Sequence, residues 1–446
     1  MTTQINNENK KLNFSNEREQ SQACLNSAEH EKNQGRKVLN VPNLRFPEFQ
    51  GEWEKKSLGE IGDSFIGLTY KPTDVVSEGG LIVFRSSNIQ NGCMDYKDIV
   101  RVNKNVKEKL ITKKDDLLVC ARNGSARLIG KNAILHEADA NQTFGAFMMV
   151  FRSDKNHFVH QLLNTRRYSS QVSENLGARI NQITSSDLSS FEFFFPTENS
   201  EMNKIAALLD LLDERIATQN KIIEDLKRLK SAIIEKVFCS PNQEYPMCRI
   251  EGFEQALSTY KMSDFSSRIA TKNKDSKCSL VLTIAAQYGL VNQESFFNKS
   301  VPSENLTGYY LLHKGEFAYN RSYSAGYDWG AVKRLDNYDE GVLSTLYICF
   351  KINETIVDSD YLAYYFESSK WHKGLSDIAG EGARNHGLLN VSMTDYFNTK
   401  HRFPVIEEQK AIAKMLNTIA EKERKATLLG ECYQKQKQYL LCQMFT

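Results

Sequence analysis

Gly177-Ala178-Arg179, Ser186-Asp187-Leu188 and Phe194-Phe195-Pro196 return in the same order as Gly382-Ala383-Arg384, Thr394-Asp395-Tyr396 and Arg402-Phe403-Pro404. Each aspartate keeps the same distance to its proline, Asp187 to Pro196 and Asp395 to Pro404. The chain is thus written twice, with a period of about 200–210 residues, the scale of a duplicated domain rather than of a solenoid repeat. Downstream, Ile205-Ala206-Ala207-Leu208-Leu209 answers Ile412-Ala413-Lys414-Met415-Leu416, and Lys230–Phe238 answers Lys437–Phe445. Upstream the match weakens but persists. Asp116–Val119 aligns with Glu316–Tyr319 and Gly130 with Gly330, while Phe158–Leu163 and Tyr361–Phe366 both read as short buried helices.

Behind each Phe-Pro lies a long helical pattern. Apolar residues fall at Met202, Ile205, Leu209, Leu212 and Ile216, then, past Gln219, at Ile223, Leu226, Leu229, Ile233 and Val237. The second pattern uses Ile412, Leu416, Ile419, Ala426, Leu429, Tyr433, Leu440 and Met444. Alternating three-four spacing is a heptad seam, and a proline just before a helix suits its start. Each helix spans about 35–40 residues, hence roughly 50–60 Å. Gly430 weakens its turn by about 1 kcal/mol relative to alanine. A lone exposed helix with such a seam is unstable in water, so the two are expected to pack on each other. Antiparallel pairing would put one globular unit at each end of a rod, with pseudo-two-fold symmetry. The plainer alternative is a pair of ordinary core helices in one large domain.

Composition excludes several classes. The 446 residues are 41% hydrophobic and 25% charged, with a net charge of +2, as in soluble globular proteins. No apolar stretch approaches the length of a membrane span, and Met1–Asn40 has no signal-peptide core, so a cytoplasmic protein without membrane contact is expected. Nine scattered cysteines without a C-x-x-C pair argue for reduced thiols. His157 and His160 stand three apart with no further ligand set nearby, so no metal site is expected. Gly124–Lys131 imitates a phosphate-binding loop, but five residues separate its glycines and Asn132 replaces the required hydroxyl. Asp95-Tyr96-Lys97 ends like a nuclease motif without a convincing second carboxylate, and no Asn-Pro-Pro-aromatic methylation motif occurs.

The opening Val41-Pro42-Asn43-Leu44-Arg45-Phe46-Pro47-Glu48-Phe49, followed by Gly51-Glu52-Trp53-Glu54 and Ser57-Leu58-Gly59-Glu60-Ile61, resembles that of the specificity (S) subunits of type I restriction–modification systems. Tyr260-Lys261-Met262-Ser263-Asp264-Phe265 is a degraded echo in the second copy, where Phe253 stands in place of the usual tryptophan. The Gly-x-x-x-Asn…[ST]-x-Asp-Leu…Phe-Pro module, Gly177 to Pro196, belongs to the same likeness. The resemblance covers the chain from Val41 onward and implies an α/β architecture. Two tandem target recognition domains, 41–198 and 241–405, would be separated by two long helices, 199–240 and 406–446, packed as an antiparallel coiled coil. Residues 1–40 form a polar leader, expected to be disordered.

That likeness implies a non-catalytic subunit that reads a bipartite target on double-stranded DNA. Two methyltransferase (M) subunits would dock on the helices and restriction (R) subunits would join through them. S-adenosylmethionine, ATP and magnesium would sit on those partners, with no cofactor on this chain. A stiff spacer suits two readers placed one or more DNA turns apart, about 34 Å each. Two other readings remain: a coiled-coil protein scaffold without DNA binding, and a solitary DNA-modifying enzyme.

Side-chain chemistry nominates the contacts. Arginine bonds guanine bidentately and asparagine or glutamine bonds adenine, while glycine lets backbone approach phosphate. The candidates are Arg85 and Asn88 after a strand-like run, then Arg122, Asn123, Arg127 and Lys131 in a small-residue loop. Arg179, Asn181 and Gln182 belong to the repeated module. In the second copy they are Arg321 and Tyr323, then Arg384, Asn385 and His386. Each also has a bland reading, as a solvated strand end, a polar hairpin or a helix-capping turn.

Overall fold

A computed structural model describes residues 40–178, 181–297, 305–322, 326–378, 384–385, 388–389 and 391–446. Two compact units emerge: the first runs up to Asn220 and adds Leu429–Thr446, and the second is Lys221–Leu428. The long helices, Asn199–Val237 (central) and Ile406–Gln443 (distal), are each shared between the units. The expected segments 199–240 and 406–446 treat them as separate pieces.

In the first unit, Glu54–Ser57 pairs antiparallel with Glu192–Phe195. A four-stranded antiparallel sheet follows, in the order Asp63–Ile66, Met148–Arg152, Leu117–Cys120, Asn132–Ile134. Its two middle strands are continuous apolar runs, and the two-residue period of a strand sends alternate side chains to opposite faces. Leu117, Val119, Met149 and Phe151 join one core and Leu118, Cys120, Met148 and Val150 another. A second sheet, Thr143–Phe144, Leu81–Phe84, Arg101–Val102, Val75–Val76, takes its last three strands from the segment between the first and third of these strands and Thr143–Phe144 from the segment between the fourth and the second.

The second unit repeats the plan. Ser258–Lys261 pairs with Lys400–Phe403. Its four-stranded sheet has the order Ser266–Arg268, Ile348–Ile352, Phe317–Asn320, Ala331–Arg334, strand for strand the topology of the first. Phe317, Tyr319, Ile348 and Phe350 face one core, Ala318 and Cys349 the other. Helices Asn156–Leu162 and Ser359–Tyr365 occupy the matching places. The duplication seen in the residues is therefore a duplication of topology.

Each sheet is covered by the start of one long helix and the end of the other. Met202, Ile205, Ala206 and Leu209 meet Leu441, Met444 and Phe445 in the first core. Ile412, Ala413 and Leu416 meet Ile234, Val237 and Phe238 in the second. Within each unit the helices thus run antiparallel. Helix ends supply core residues, which is why the compact units cut across the helices. Truncating one of these buried phenylalanines to alanine costs about 3–5 kcal/mol.

An arginine clamp is duplicated as well. Arg45 grips Glu201 with Nε at 2.7 Å and Nη2 at 2.8 Å, and Arg249 grips Glu408 at 2.9 and 2.7 Å. Both glutamates are buried in the first turn of their helix, where negative charge complements the helix dipole. The clamps and the strand registers align Trp53 with Leu257, not Phe253: Glu54 and Ser258 face Phe195 and Phe403.

The seam also differs from its expected course. Leu229 and Leu429 are 50% and 44% exposed. The strict three-four spacing runs instead through Gln219, which is buried, and Lys230, and through Glu423, Gly430 and Lys437 on the distal helix. Polar seam residues look like interruptions in the sequence, and neighbouring leucines imitate the seam beside them. The distal helix stays continuous through Gly430, which is buried.

Candidate nucleic-acid interface

In the first unit three segments far apart in sequence meet at one end of the four-stranded sheet. Arg122 forms an isolated antiparallel bridge with Gln182 and donates from its guanidinium to Gln182 Oε1. Asn123 Nδ2 donates to Ser86 Oγ at 3.0 Å, and Asn123 Oδ1 accepts from the Ser125 backbone at 3.0 Å. Asn181, at φ 52°, donates from Nδ2 to the Gly124 carbonyl at 3.3 Å. Asparagine is among the few side chains that tolerate this left-handed conformation. Segments 86–88, 122–125 and 181–182 are thereby locked together.

The individual candidates separate on this scaffold. Arg122 is exposed, with its guanidinium 5.7 Å from the Phe147 ring centroid. Arg127 is exposed on a short 3-10 turn, Ala126–Leu128, and Lys131 is half-buried. Arg85 is half-buried and pairs with Asp98 at 2.8 Å. Asn88 is 1% exposed. Its Oδ1 accepts from the Arg85 backbone at 2.9 Å and its Nδ2 donates to the carbonyls of Asp95 and Asp98 at 3.0 and 2.9 Å. Asn88 is therefore a fastener inside the loop, with both amide hydrogens already used. Residue type cannot reveal this, because the carbonyls it binds lie seven and ten residues away.

In the second unit Arg321 takes the position of Ala121 rather than of Arg122. Its carbonyl accepts from Leu389 as that of Ala121 accepts from Ile183, both at 2.9 Å. Its guanidinium is half-buried and donates to the carbonyls of Val391 and Leu346 at 3.1 and 3.2 Å. Arg384 and Asn385 form a short strand paired with Leu388–Leu389, which brings the repeated module to the Arg321 loop as Gln182 is brought to Arg122. Arg179, Tyr323 and His386 lie outside the described residues. Gly130 and Gly330 close the two loops at φ 82° and 75°. A Cβ on Gly330 would stand 2.1 Å from the Asn320 carbonyl, so the turn requires glycine.

Two residues escaped the sequence reading. Phe147 and Leu346 are 58% and 61% exposed, each beside a candidate arginine. A single apolar residue ahead of an apolar strand carries no signal until the strand's start is known.

The other nominated chemistries resolve into structural bonds. Tyr96 donates to Asp139 Oδ1 at 2.5 Å, with its hydroxyl pKa pushed up by burial and by that carboxylate. Asp95 Oδ1 accepts from the Lys97 backbone at 2.8 Å. His160, Asp210 and Asp213 offer atoms within 4.8 Å of one another. The carboxylates are already engaged, Asp210 by His157 at 2.5 Å, Asp213 by Lys437 at 2.5 Å, and both by Gln161 Nε2 at 2.9 and 3.0 Å. Burial lowers the His160 pKa to about 4. The two carboxylates thus belong to an ion-pair and hydrogen-bond network with His157, Gln161 and Lys437. Among the described residues no helix is long and apolar enough to cross a membrane, and the eight described cysteines are free thiols.

Comparison with known proteins bears on the whole arrangement. The crystal structure of a type I restriction–modification system S subunit from M. genitalium superposes with a TM-score of 0.55 at 16% identity, covering 91% of this chain and 99% of that one. The fold is therefore that of a type I S subunit. Residues 50–228 match the family described as type I restriction modification DNA specificity domain. Over 212 residues it is 28% identical to the EcoKI specificity subunit of Escherichia coli (strain K12), and over 195 residues 28% identical to the StySPI specificity subunit of Salmonella potsdam. The matches span 45% and 42% of those relatives' own length.

Proposed function

We propose that this chain is the sequence-reading subunit of a type I restriction–modification assembly. Each unit reads one half of a split target on double-stranded DNA, and the chain does no chemistry itself. The observation that carries this reading is the convergence of Ser86, Arg122, Asn123, Asn181 and Gln182 on one sheet end, on a frame that recurs around Arg321. Guanidinium, amide and hydroxyl groups held rigidly side by side are what base-edge and phosphate recognition needs.

Two methyltransferase subunits dock on the long helices, and restriction subunits join through them. Exposed apolar side chains support this docking: Leu208, Leu211 and Tyr439 in the first unit, Ile222 and Leu428 in the second. S-adenosylmethionine, ATP and magnesium belong to those partners, and the assembly works in the cytoplasm. The test is footprinting of the complex reconstituted with its methyltransferase subunits. Two protected blocks separated by a gap support the reading. Absence of a footprint in the presence of partners contradicts it and favours a protein scaffold.

A further inference from the structure

Phe147 and Leu346 occupy equivalent places in the two units. Each precedes the central strand of its sheet, Met148–Arg152 or Ile348–Ile352, whose following residues are buried. Each carbonyl is engaged by the adjoining loop: Phe147 O accepts from the Ala121 and Arg122 backbones at 2.9 and 3.0 Å, and Leu346 O from Arg321 Nη2 at 3.2 Å. The side chains project outward, 58% and 61% exposed. A lone exposed hydrophobe needs no explanation. Two of them, at one topological position beside an arginine in each copy of a diverged repeat, do.

We infer that Phe147 and Leu346 are the apolar base-contacting residues of the two units, each packing against the 5-methyl group of a thymine in the major groove. This rests on the DNA-reading function proposed above and adds to it the class of contact and the residue that makes it. Four base pairs are distinguished in the major groove by donors, acceptors and that one methyl group. Arg122 and Gln182 supply the polar half of such a code in the first unit, while Phe147 and Leu346 supply the apolar contact of each unit. The bonds to each carbonyl, from backbone N–H groups to Phe147 and from a guanidinium to Leu346, hold each side chain beside its arginine. A phenyl ring in one unit and an isobutyl group in the other fit two half-sites of different sequence.

The test uses the complex assembled with its methyltransferase subunits. Bound duplexes are selected from a pool with randomised half-sites, and each preferred thymine is then replaced in turn by deoxyuridine, which lacks the methyl group. For the unaltered complex, one replacement in each half-site is expected to weaken binding roughly fourfold, the worth of one buried methyl-sized group. Phe147→Ala should bind the thymine and deoxyuridine duplexes equally while keeping the unaltered preference in the other half-site. Leu346→Ala should do the reverse. Both side chains are exposed, so both variants should melt as the unaltered chain does. Deoxyuridine sensitivity that survives in both variants overturns the inference but leaves the DNA-reading function standing. An unaltered complex that selects no sequence overturns both.

Discussion

Lys230 Nζ lies 2.8 Å from Glu423 Oε2, joining the seam of the central helix to the seam of the distal helix within the second unit. Their side chains are 24% and 17% exposed. Polar seam pairs of this kind fix register between helices at a cost in stability. Lys230→Met alone strands the glutamate and should cost about 1–3 kcal/mol, whereas Lys230→Met with Glu423→Leu should restore or exceed the original stability. Thermal melts of the three proteins decide it. A double variant no more stable than the single one would show that the pair contributes net attraction.

The two neighbouring histidines of the first unit should have opposite pH signatures. The hydrogen bond from His157 to Asp210, aided by the Asp210 and Asp115 charges, raises the His157 pKa above 6.5. A raised pKa contributes stability that is complete below about pH 6.5 and is lost as pH rises through the folded value. His160 is lowered to about 4 by burial, so it removes stability as pH falls from about 6.5 toward 4. His157→Gln should therefore destabilise more at pH 6 than at pH 8.5. His160→Gln should flatten the acid side of the profile. Equal losses for His157→Gln at both pH values would contradict the assignment.

Asn88→Ala should destabilise the first unit by about 1–3 kcal/mol, because it leaves two carbonyls and one backbone N–H without their buried partner. Asn88→Asp keeps the acceptor but sets a second carboxylate oxygen against both carbonyls in a buried loop, so it should destabilise at least as much. Hydrogen exchange of residues 85–98 reports the loosening. A variant melting with the unaltered protein would mean that the loop's bonds are replaceable by water.

Arg122→Ala with Arg127→Ala should weaken DNA binding by the assembled complex and flatten its dependence on salt. The log–log slope should fall by up to about 0.9 for each phosphate that an arginine no longer neutralises. Unchanged affinity and slope at moderate salt would take this loop out of the interface.

The fold was legible because its signals are long-range repetitions: the Gly177 and Gly382 modules and the paired heptads need no three-dimensional information. The sequence missed what depends on register and burial. Lys230 sits on a seam that hydrophobicity alone assigns to Leu229. Arg321 looks like the counterpart of Arg122, yet strand pairing puts it one residue earlier, where carbonyls absorb its donors. Asn88 reads as a base-binding amide until its distant carbonyl partners are seen. Phe147 was silent because exposure is a tertiary property. The residues legible as a set were those of the small-residue loop, whose Gly124 and Gly130 announce a turn and whose Arg122 and Arg127 announce its charge.

The most direct test of two readers on one chain is genome-wide mapping of methylated bases in a host expressing this chain with its methyltransferase subunits. The account predicts a motif of two unlike specific blocks separated by a fixed stretch of unspecified bases. A single continuous motif, or no methylation attributable to the complex, would contradict it.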